Sequence, residues 1–171
     1  MSKAFTKESD EATEPQVLVR LPSVSLPPGA RNYMTADGME RMQAELEHLI
    51  STKRPRVAAL PDQTESKRQL QGLDQRIRDL QASLETAVVP PPREGRQEQV
   101  LFGSSVTVRE NNGELATYRI VGVDETDLDR DWVSYLSPVA RALMNKRAGE
   151  RVRLKLPGGE KELEIISIDV G

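Results

Sequence analysis

Two stripes of apolar residues at heptad spacing, separated by a short polar break, constrain the fold of this chain most strongly. The second stripe is regular and runs from Leu70 to Leu84, while the first begins at Met39 and continues less regularly to Leu60. Apolar residues at alternating spacings of three and four lie on one face of a helix, so each stripe predicts a helix with one buried face. We therefore predict an antiparallel coiled-coil hairpin that reverses direction at residues 61–63.

Local signals predict where these helices begin, bend and end. Thr35 is a good N-cap for the first helix, and Asp37 suits the positive end of the helix dipole. Pro55 removes a backbone donor within the first stripe, so we expect a bend there. Three prolines at 90–92 end the second helix. The two arms should each contain roughly 20–25 residues, which corresponds to about 30–37 Å.

The residues after the prolines predict a small sheet with one inserted helix. Segments 106–108 and 117–123 alternate as strands do, with a turn sequence at 111–113 between them. Ser137 as N-cap and Pro138 at the first helical position are a strong helix start. Four or five antiparallel strands and one helix make this an α+β domain, with one side of the helix covering a sheet face.

These patterns divide the chain into four parts. Residues 1–32 form an irregular N-terminal tail, although segment 16–21 could be a short strand. Residues 33–89 form the coiled-coil hairpin, 90–99 a linker, and 100–171 the C-terminal domain.

Composition excludes several classes of protein and site. The net charge of −3 argues against unspecific binding to a nucleic-acid duplex, which needs a basic face. The chain has no cysteine, so disulfides, thiolate chemistry and cysteine-based zinc sites are excluded. No segment has the length and apolarity of a membrane span, so we expect a cytoplasmic protein without a membrane partner.

Several motifs in the same order resemble the Gre family of bacterial transcript-cleavage factors. The most specific is the segment SPVARALMNKRAGE at 137–150, supported by FGSSV at 102–106 and YRIVG at 118–122. Residues 35–49 and 53–55 match the hairpin part of the family pattern. The resemblance covers about residues 33–170.

The resemblance implies a fold, a partner and a mode of action. Gre factors have an FKBP-like C-terminal domain that docks on the rim of the RNA polymerase secondary channel, and a coiled coil that enters the channel. The factor is not an enzyme, because the polymerase itself cuts the backtracked RNA. We expect a monomer with no cofactor of its own. The implied docking residues are Leu136, Ser137, Pro138, Val139 and Ala140.

Two acidic residues in the polar break match the family's Asp-x-x-Glu spacing. In Gre factors such a pair helps to hold a second catalytic Mg²⁺ in the polymerase, which assigns that role to Asp62 and Glu65. Two carboxylates alone make a poor Mg²⁺ site and need a partner that supplies further oxygen ligands. The residues themselves favour a simpler interpretation, in which Asp62 caps the second helix and Glu65 favours its N-terminus.

The sequence departs from the Gre pattern in three places. Each arm is about a heptad shorter than is typical, which shortens the reach by about 10 Å. The run that normally follows the acidic pair is missing, and Leu136 stands where many members have an acidic residue. A shortened hairpin on this C-terminal domain also resembles the regulator of nucleoside diphosphate kinase, a Gre-like protein of the same channel.

Basic residues along the hairpin could contact the 3′ end of the nascent RNA. Lys67 and Arg68 lie nearest the polar break and are the candidates, since phosphate neutralisation would drive such a contact. The alternative is an ordinary solvated coiled-coil surface, because acidic residues balance these charges.

Three functions remain open from the sequence. The favoured one is a Gre-type factor that modulates elongation or initiation without stimulating cleavage, because its arms are short. The second is a true cleavage factor that uses Asp62 and Glu65. The third is a protein-interaction or chaperone-like module unrelated to polymerase.

Overall fold

The computed structural model describes residues 26–95 and 97–171, and every structural statement below concerns these residues. The strand predicted at 16–21 and most of the N-terminal tail lie outside this part of the chain. A turn in which the Ala30 N–H donates to the Pro27 carbonyl, at 3.0 Å, leads into the hairpin.

The hairpin consists of two antiparallel helical arms. The outgoing arm comprises α1 (Ala36–His48), a π-helical turn (Leu49–Lys53) and α2 (Arg54–Ala58), and the returning arm is the single helix α3 (Gln63–Thr86). The predicted apolar stripes meet in one core between the arms. Its buried members are Met34, Met42, Leu49, Val57, Leu73, Ile77 and Leu80.

Pro55 is accommodated by the widened turn that precedes it. The Arg54 N–H donates to the Leu49 carbonyl, five residues back, instead of to the carbonyl four residues back. Proline has no N–H and its ring crowds the preceding turn, and an inserted residue relieves that crowding while the helix continues. The sequence signal predicted a bend, and the local response in the structure is this π turn.

A two-residue parallel strand pair closes the base of the hairpin. Strand β1 (Asn32–Tyr33) pairs with β2 (Ala87–Val88), so the residues before α1 lie beside those after α3. The Asn32 side-chain amide also donates to the Ser83 carbonyl at 3.0 Å. Entry and exit of the hairpin are therefore fixed to each other.

The C-terminal domain contains a five-stranded sheet in the order β5-β4-β3-β7-β6. The strands are β3 (Ser104–Glu110), β4 (Leu115–Val121), β5 (Trp132–Ser134), β6 (Arg151–Leu156) and β7 (Gly159–Val170). The α+β class is confirmed. The sheet differs from the antiparallel prediction at one pair, because β5 runs parallel to β4. The connection between these two strands, residues 122–131, contains two 3₁₀ turns, Val123–Glu125 and Leu128–Arg130. It returns the chain to the end of the sheet at which β4 begins, so that β5 can run parallel to β4.

Helix α4 (Pro138–Leu143) packs on this sheet and starts as predicted. Ser137 is its N-cap, with its hydroxyl accepting from the Ala140 N–H at 3.1 Å. The sequence predicts Val139 and Leu143 as the side that covers the sheet. Leu143 is fully buried, but the other fully buried position is Ala140, and Val139 is only half-buried. Residues three apart on a helix share a face, so Ala140 and Leu143 point at the sheet together.

No helix in the described part of the chain combines the length and apolarity that crossing a membrane requires.

Candidate functional site

The tip of the hairpin, residues 59–68, carries the predicted acidic pair at the start of α3. Asp62 is the N-cap, and its Oδ1 accepts from the Thr64 N–H at 2.9 Å and from the Glu65 N–H at 3.1 Å. These bonds satisfy two backbone donors that a helix start otherwise leaves without partners. The capping interpretation of Asp62 is confirmed. Its other carboxylate oxygen, Oδ2, takes no part in these two hydrogen bonds.

Glu65 is held by side chains of the next helical turn. Arg68 donates to both carboxylate oxygens, at 2.6 and 2.9 Å, and the Gln69 amide donates to Oε1 at 2.6 Å. These hydrogen bonds lower the pKa of Glu65 from 4.5 to about 2, and the larger contribution comes from Arg68, followed by Gln69. The carboxylate is therefore charged at neutral pH and already neutralised by a neighbour.

The two acids at the tip supply only part of the ligand set that a metal ion requires. No group of three or more His, Asp or Glu side chains within residues 26–95 and 97–171 is arranged for a metal ion. Asp62 could offer its Oδ2 as a ligand. The Glu65 carboxylate would first have to break its hydrogen bonds to Arg68. Because Mg²⁺ prefers octahedral oxygen ligation, a partner would have to supply the remaining ligands.

The two candidate RNA-contact residues differ in whether their side chain is already paired within the hairpin. Lys67 is exposed, whereas Arg68 is engaged by Glu65. Two other arginines of the hairpin join the arms, since Arg54 pairs with Asp74 at 2.7 Å and Arg76 pairs with Glu45 at 2.8 Å. Much of the basic character seen in the sequence is thus used inside the hairpin.

The predicted docking segment, Leu136–Ala140, lies at the start of α4. Pro138 is exposed, and Leu136, Ser137 and Val139 are half-buried. Ala140 is fully buried in the core of the C-terminal domain. A partner cannot touch that side chain without disrupting the core, so the docking prediction is narrowed to residues 136–139.

Sequence analysis missed a buried carboxylate where the hairpin meets the C-terminal domain. The Glu125 side chain is 1% exposed, and its Oε2 accepts from the N–H groups of Thr35 and Gly122, both at 2.9 Å. Its Oε1 accepts from the Thr35 hydroxyl, which in turn accepts from the Gly38 N–H. Glu125 therefore binds the N-cap of α1 across 90 residues of sequence.

Trp132 lies beside this junction between three guanidinium groups. Those of Arg41 and Arg119 lie 4.7 and 4.8 Å from the ring centroid, and that of Arg130 lies at 5.3 Å. Arg119 also pairs with Asp37 of α1 at 3.1 Å. The sequence has five acidic residues within positions 124–131, followed by its single tryptophan, but nothing in the pattern linked them to the start of α1.

Aromatic contacts extend the junction toward the base of the hairpin. Tyr33 of β1 lies 5.6 Å from Phe102 and 5.5 Å from Tyr135, measured between ring centroids. The Tyr135 hydroxyl donates to the Arg31 carbonyl at 2.5 Å. These rings join the residues just before α1 to the C-terminal domain.

Comparisons with known proteins agree on one family. The protein-family model for the C-terminal part of the transcription elongation factors GreA and GreB matches residues 95–170. Transcription elongation factor GreB of Neisseria meningitidis serogroup B is 36% identical over 154 residues, covering 81% of this chain and 94% of that protein. GreB of Pseudomonas aeruginosa is 38% identical over 149 residues, covering 80% and 89%. A solved GreA/GreB factor from Nitrosomonas europaea is 24% identical, covers 81% of this chain and 99% of that one, and has a TM-score of 0.40.

The alignment with the Neisseria protein also contains a length difference. It has 154 positions, whereas 81% of 171 residues is about 139 residues, so about 15 positions have no counterpart in this chain. This difference is close to two heptads.

Proposed function

Because this chain belongs to the GreA/GreB family of transcription elongation factors, we propose that it regulates RNA polymerase from the secondary channel without stimulating transcript cleavage. Family membership makes it a polymerase-binding accessory factor that is not itself an enzyme. It also argues against an interaction module unrelated to polymerase. The further points proposed here are the manner of docking, the monomeric state and the absence of cleavage.

The observation that carries this proposal is the length of the arms. Helix α3 has 24 residues, which corresponds to about 36 Å of helix. We assign the deficit of about 15 aligned positions to the two arms, where it would equal about one heptad in each arm, or about 10 Å of reach. A metal ligand must lie within about 2–2.5 Å of its ion, so a tip that ends 10 Å short contributes nothing to catalysis.

The contacts of the tip support the same conclusion. Asp62 stabilises the start of α3, and Glu65 is paired with Arg68 and Gln69. Both acids have structural partners within the hairpin. Lys67, which is exposed beside them, is the better candidate for a contact with the RNA 3′ end.

The docking surface in this proposal is the start of α4. Pro138 is exposed, and Leu136 and Val139 offer partly exposed apolar atoms next to it. Such a patch would contact the rim of the secondary channel, while the hairpin occupies the channel and blocks longer factors. Leu136 in place of an acidic residue makes this contact more apolar than the typical family contact.

Cleavage in a stalled, backtracked polymerase complex tests the proposal. We expect the protein to bind the complex, to leave the RNA at its original length, and to slow cleavage by a full-length GreB added as competitor. Val139→Asp should weaken binding, because it places a charge in the partly exposed apolar patch. Lys155→Asp, an exposed change on β6, is the matched control and should bind normally.

Lengthening the arms provides the opposite test. Duplicating residues 42–48 in α1 and the facing residues 73–79 in α3 adds one heptad to each arm; the Glu45–Arg76 pair shows that these segments lie opposite each other. We expect the lengthened protein to stimulate RNA shortening and Asp62→Ala in that background to abolish it. Cleavage by the original protein that is lost in Asp62→Ala or Glu65→Ala would overturn the proposal.

That outcome would establish the second candidate, a true cleavage factor. The specific observation in its favour is the Asp62-x-x-Glu65 spacing at the tip of a chain that is 36% identical to a GreB protein. In this case the two carboxylates would share a Mg²⁺ ion with the polymerase active centre, and the factor alone would bind no cofactor. Asp79→Ala, which removes an exposed acid away from the tip, is the charge control.

A further inference from the structure

We propose that Glu125 is a positioning residue that sets the direction of the hairpin relative to the C-terminal domain. The inference deepens the proposed function and rests on it only for its consequence, namely where the tip lies in the channel. The contact itself belongs to the free protein.

Glu125 meets the hairpin at its first helical turn. Three donors converge on the carboxylate, the backbone and hydroxyl of Thr35 and the backbone of Gly122. The positive end of the α1 dipole faces the same negative charge, which strengthens the contact in a buried setting. The Arg41 guanidinium lies 3.7 Å from Oε1 and balances the charge from the solvent side.

Two glycines make room for this approach. A Cβ on Gly38 would lie 2.0 Å from Glu125 Oε1, and a Cβ on Gly122 would lie 2.2 Å from the Tyr33 carbonyl oxygen. Neither glycine has the positive φ that would explain it by backbone conformation. The reason for glycine at both positions is the close contact between the hairpin and the domain.

The position of this contact at the base makes it matter at the far end. An arm of about 36 Å that rotates by about 10° at its base moves its tip by about 6 Å. Linked domains move relative to each other by default unless their interface resists it. A buried carboxylate that binds the cap of α1 opposes such rotation.

Surrounding charges give the junction a second set of contacts on the same side. The Arg119–Asp37 pair at 3.1 Å joins β4 to α1, and Trp132 lies against Arg41 of α1. Ser83 of α3 donates to Asp124 at 2.5 Å, so the returning arm is bound to the same 3₁₀ turn. Glu125 is the only one of these carboxylates that is almost fully buried, which is why we assign the positioning role to it.

Pulsed electron spin resonance on the full chain measures the direction of the hairpin directly. Because the protein has no cysteine, Ala59→Cys at the tip and Lys155→Cys on β6 give two specific label sites, both exposed. The width of the tip-to-domain distance distribution is the readout. We expect Glu125→Gln to widen it about two-fold, because the amide has one acceptor oxygen for three donors and lacks the negative charge that faces the start of α1.

A set of matched variants separates positioning from folding. Thr35→Asp keeps an N-cap acceptor but places a second carboxylate against Glu125, so it should widen the distribution while circular dichroism shows an intact helix. Thr35→Ser keeps the hydroxyl and should retain the original width. Glu110→Gln is the control, because Glu110 is also poorly exposed, at 17%, but pairs with Lys161 within the sheet.

An unchanged width in both Glu125→Gln and Thr35→Asp would overturn the inference, as would equal widening in Glu110→Gln. None of these outcomes involves polymerase, so they are distinguishable from failure of the proposed function. In the polymerase assay, the Glu125→Gln protein should retain its affinity for the complex. It should lose at least half of its protection of the RNA against cleavage stimulated by full-length GreB. Loss of affinity in parallel with protection would indicate a merely structural role.

Discussion

The base of the hairpin and the acidic pair at its tip are held by opposite kinds of interaction. At the base, Glu125 and Thr35 are buried and meet across 90 residues of sequence. At the tip, Asp62 and Glu65 bind groups no more than four residues away. A buried hydrogen bond between distant segments fixes how two parts of a fold are oriented, whereas exposed local bonds fix only the helix that contains them.

This difference indicates which part of the molecule can change without altering the rest. The tip can rearrange its side chains on meeting polymerase, because its ion pair is exposed and screened by salt. The base cannot rearrange without leaving donors of Thr35 and Gly122 unpaired in the interior. Variants at the two ends should therefore differ in the size and in the range of their effects.

The largest contrast is expected from the apolar core of the hairpin. Leu80, near the base, is 2% exposed, while Leu60, near the tip, is 37% exposed. Leu80→Ala should lower the free energy of unfolding by about 3 kcal/mol, since it creates a cavity, and Leu60→Ala by less than about 1 kcal/mol. Urea denaturation followed by circular dichroism measures both. Equal losses would contradict the difference in burial between these two positions.

A pair of glycine variants sharpens the contrast further. Gly122→Ala places a Cβ against the Tyr33 carbonyl and should destabilise the fold by about 1–3 kcal/mol. Gly72→Ala lies on the exposed face of α3 with open space around it and should stabilise the fold by about 0.5–1 kcal/mol. The same chemical change thus has opposite signs in thermal unfolding. A neutral Gly122→Ala would mean that the two parts do not pack as closely as described.

A smaller effect is expected from the cap at the tip. Asp62→Ala should cost about 1 kcal/mol and increase hydrogen exchange only in the first turn of α3, because two N–H groups lose their acceptor. Asp62→Asn retains an oxygen acceptor and should remain close to the original protein. Exchange that rises at the base as well would show that the two ends are coupled.

The smallest effect is the titration of Glu65. Its pKa of about 2 lies below the ordinary 4.5, because Arg68 and Gln69 stabilise the charged form. This contribution to stability is present above about pH 4.5 and is lost as the pH falls through about 2. Arg68→Gln should raise the pKa toward 4.5, as measured by carboxyl NMR titration. High salt should have the same direction of effect in the unmodified protein, since the pair is exposed. A pKa of Glu65 that is the same with and without Arg68 would remove the ion pair from the account.

The sequence predicted those features that depend on neighbouring residues. Thr35, Asp62 and Ser137 were identified as caps because an N-cap is recognised within four residues of chain. The apolar stripes predicted the hairpin for the same reason, since a heptad pattern is local. The cap of α3 at the tip could therefore be predicted from the sequence, whereas the pairing of Arg68 with Glu65 was not.

Features that depend on distant contacts were not predicted. Glu125 looked like one of several acids in a loop, and its burial results from Thr35 arriving from the other end of the chain. The parallel pairing of β5 depends on a crossover whose two 3₁₀ turns have no strong sequence pattern. Ala140 was grouped with docking residues, although packing against the sheet buries it completely. Charge type was visible in each case, but the partner was not.

The short pairing of β1 with β2 has a consequence for how proteins of this design can diverge. Asn32 and Ala87 are neighbours, so the 54 residues between them begin and end at the same place beside the C-terminal domain. Such a segment behaves as an exchangeable cassette: its length can change by whole heptads while the domain that receives it stays the same. One ancestral scaffold could thus yield a hairpin long enough to reach a catalytic centre or a shorter hairpin that only occupies the channel. Insertions and deletions of heptads, without new catalytic residues, would account for the difference between these roles.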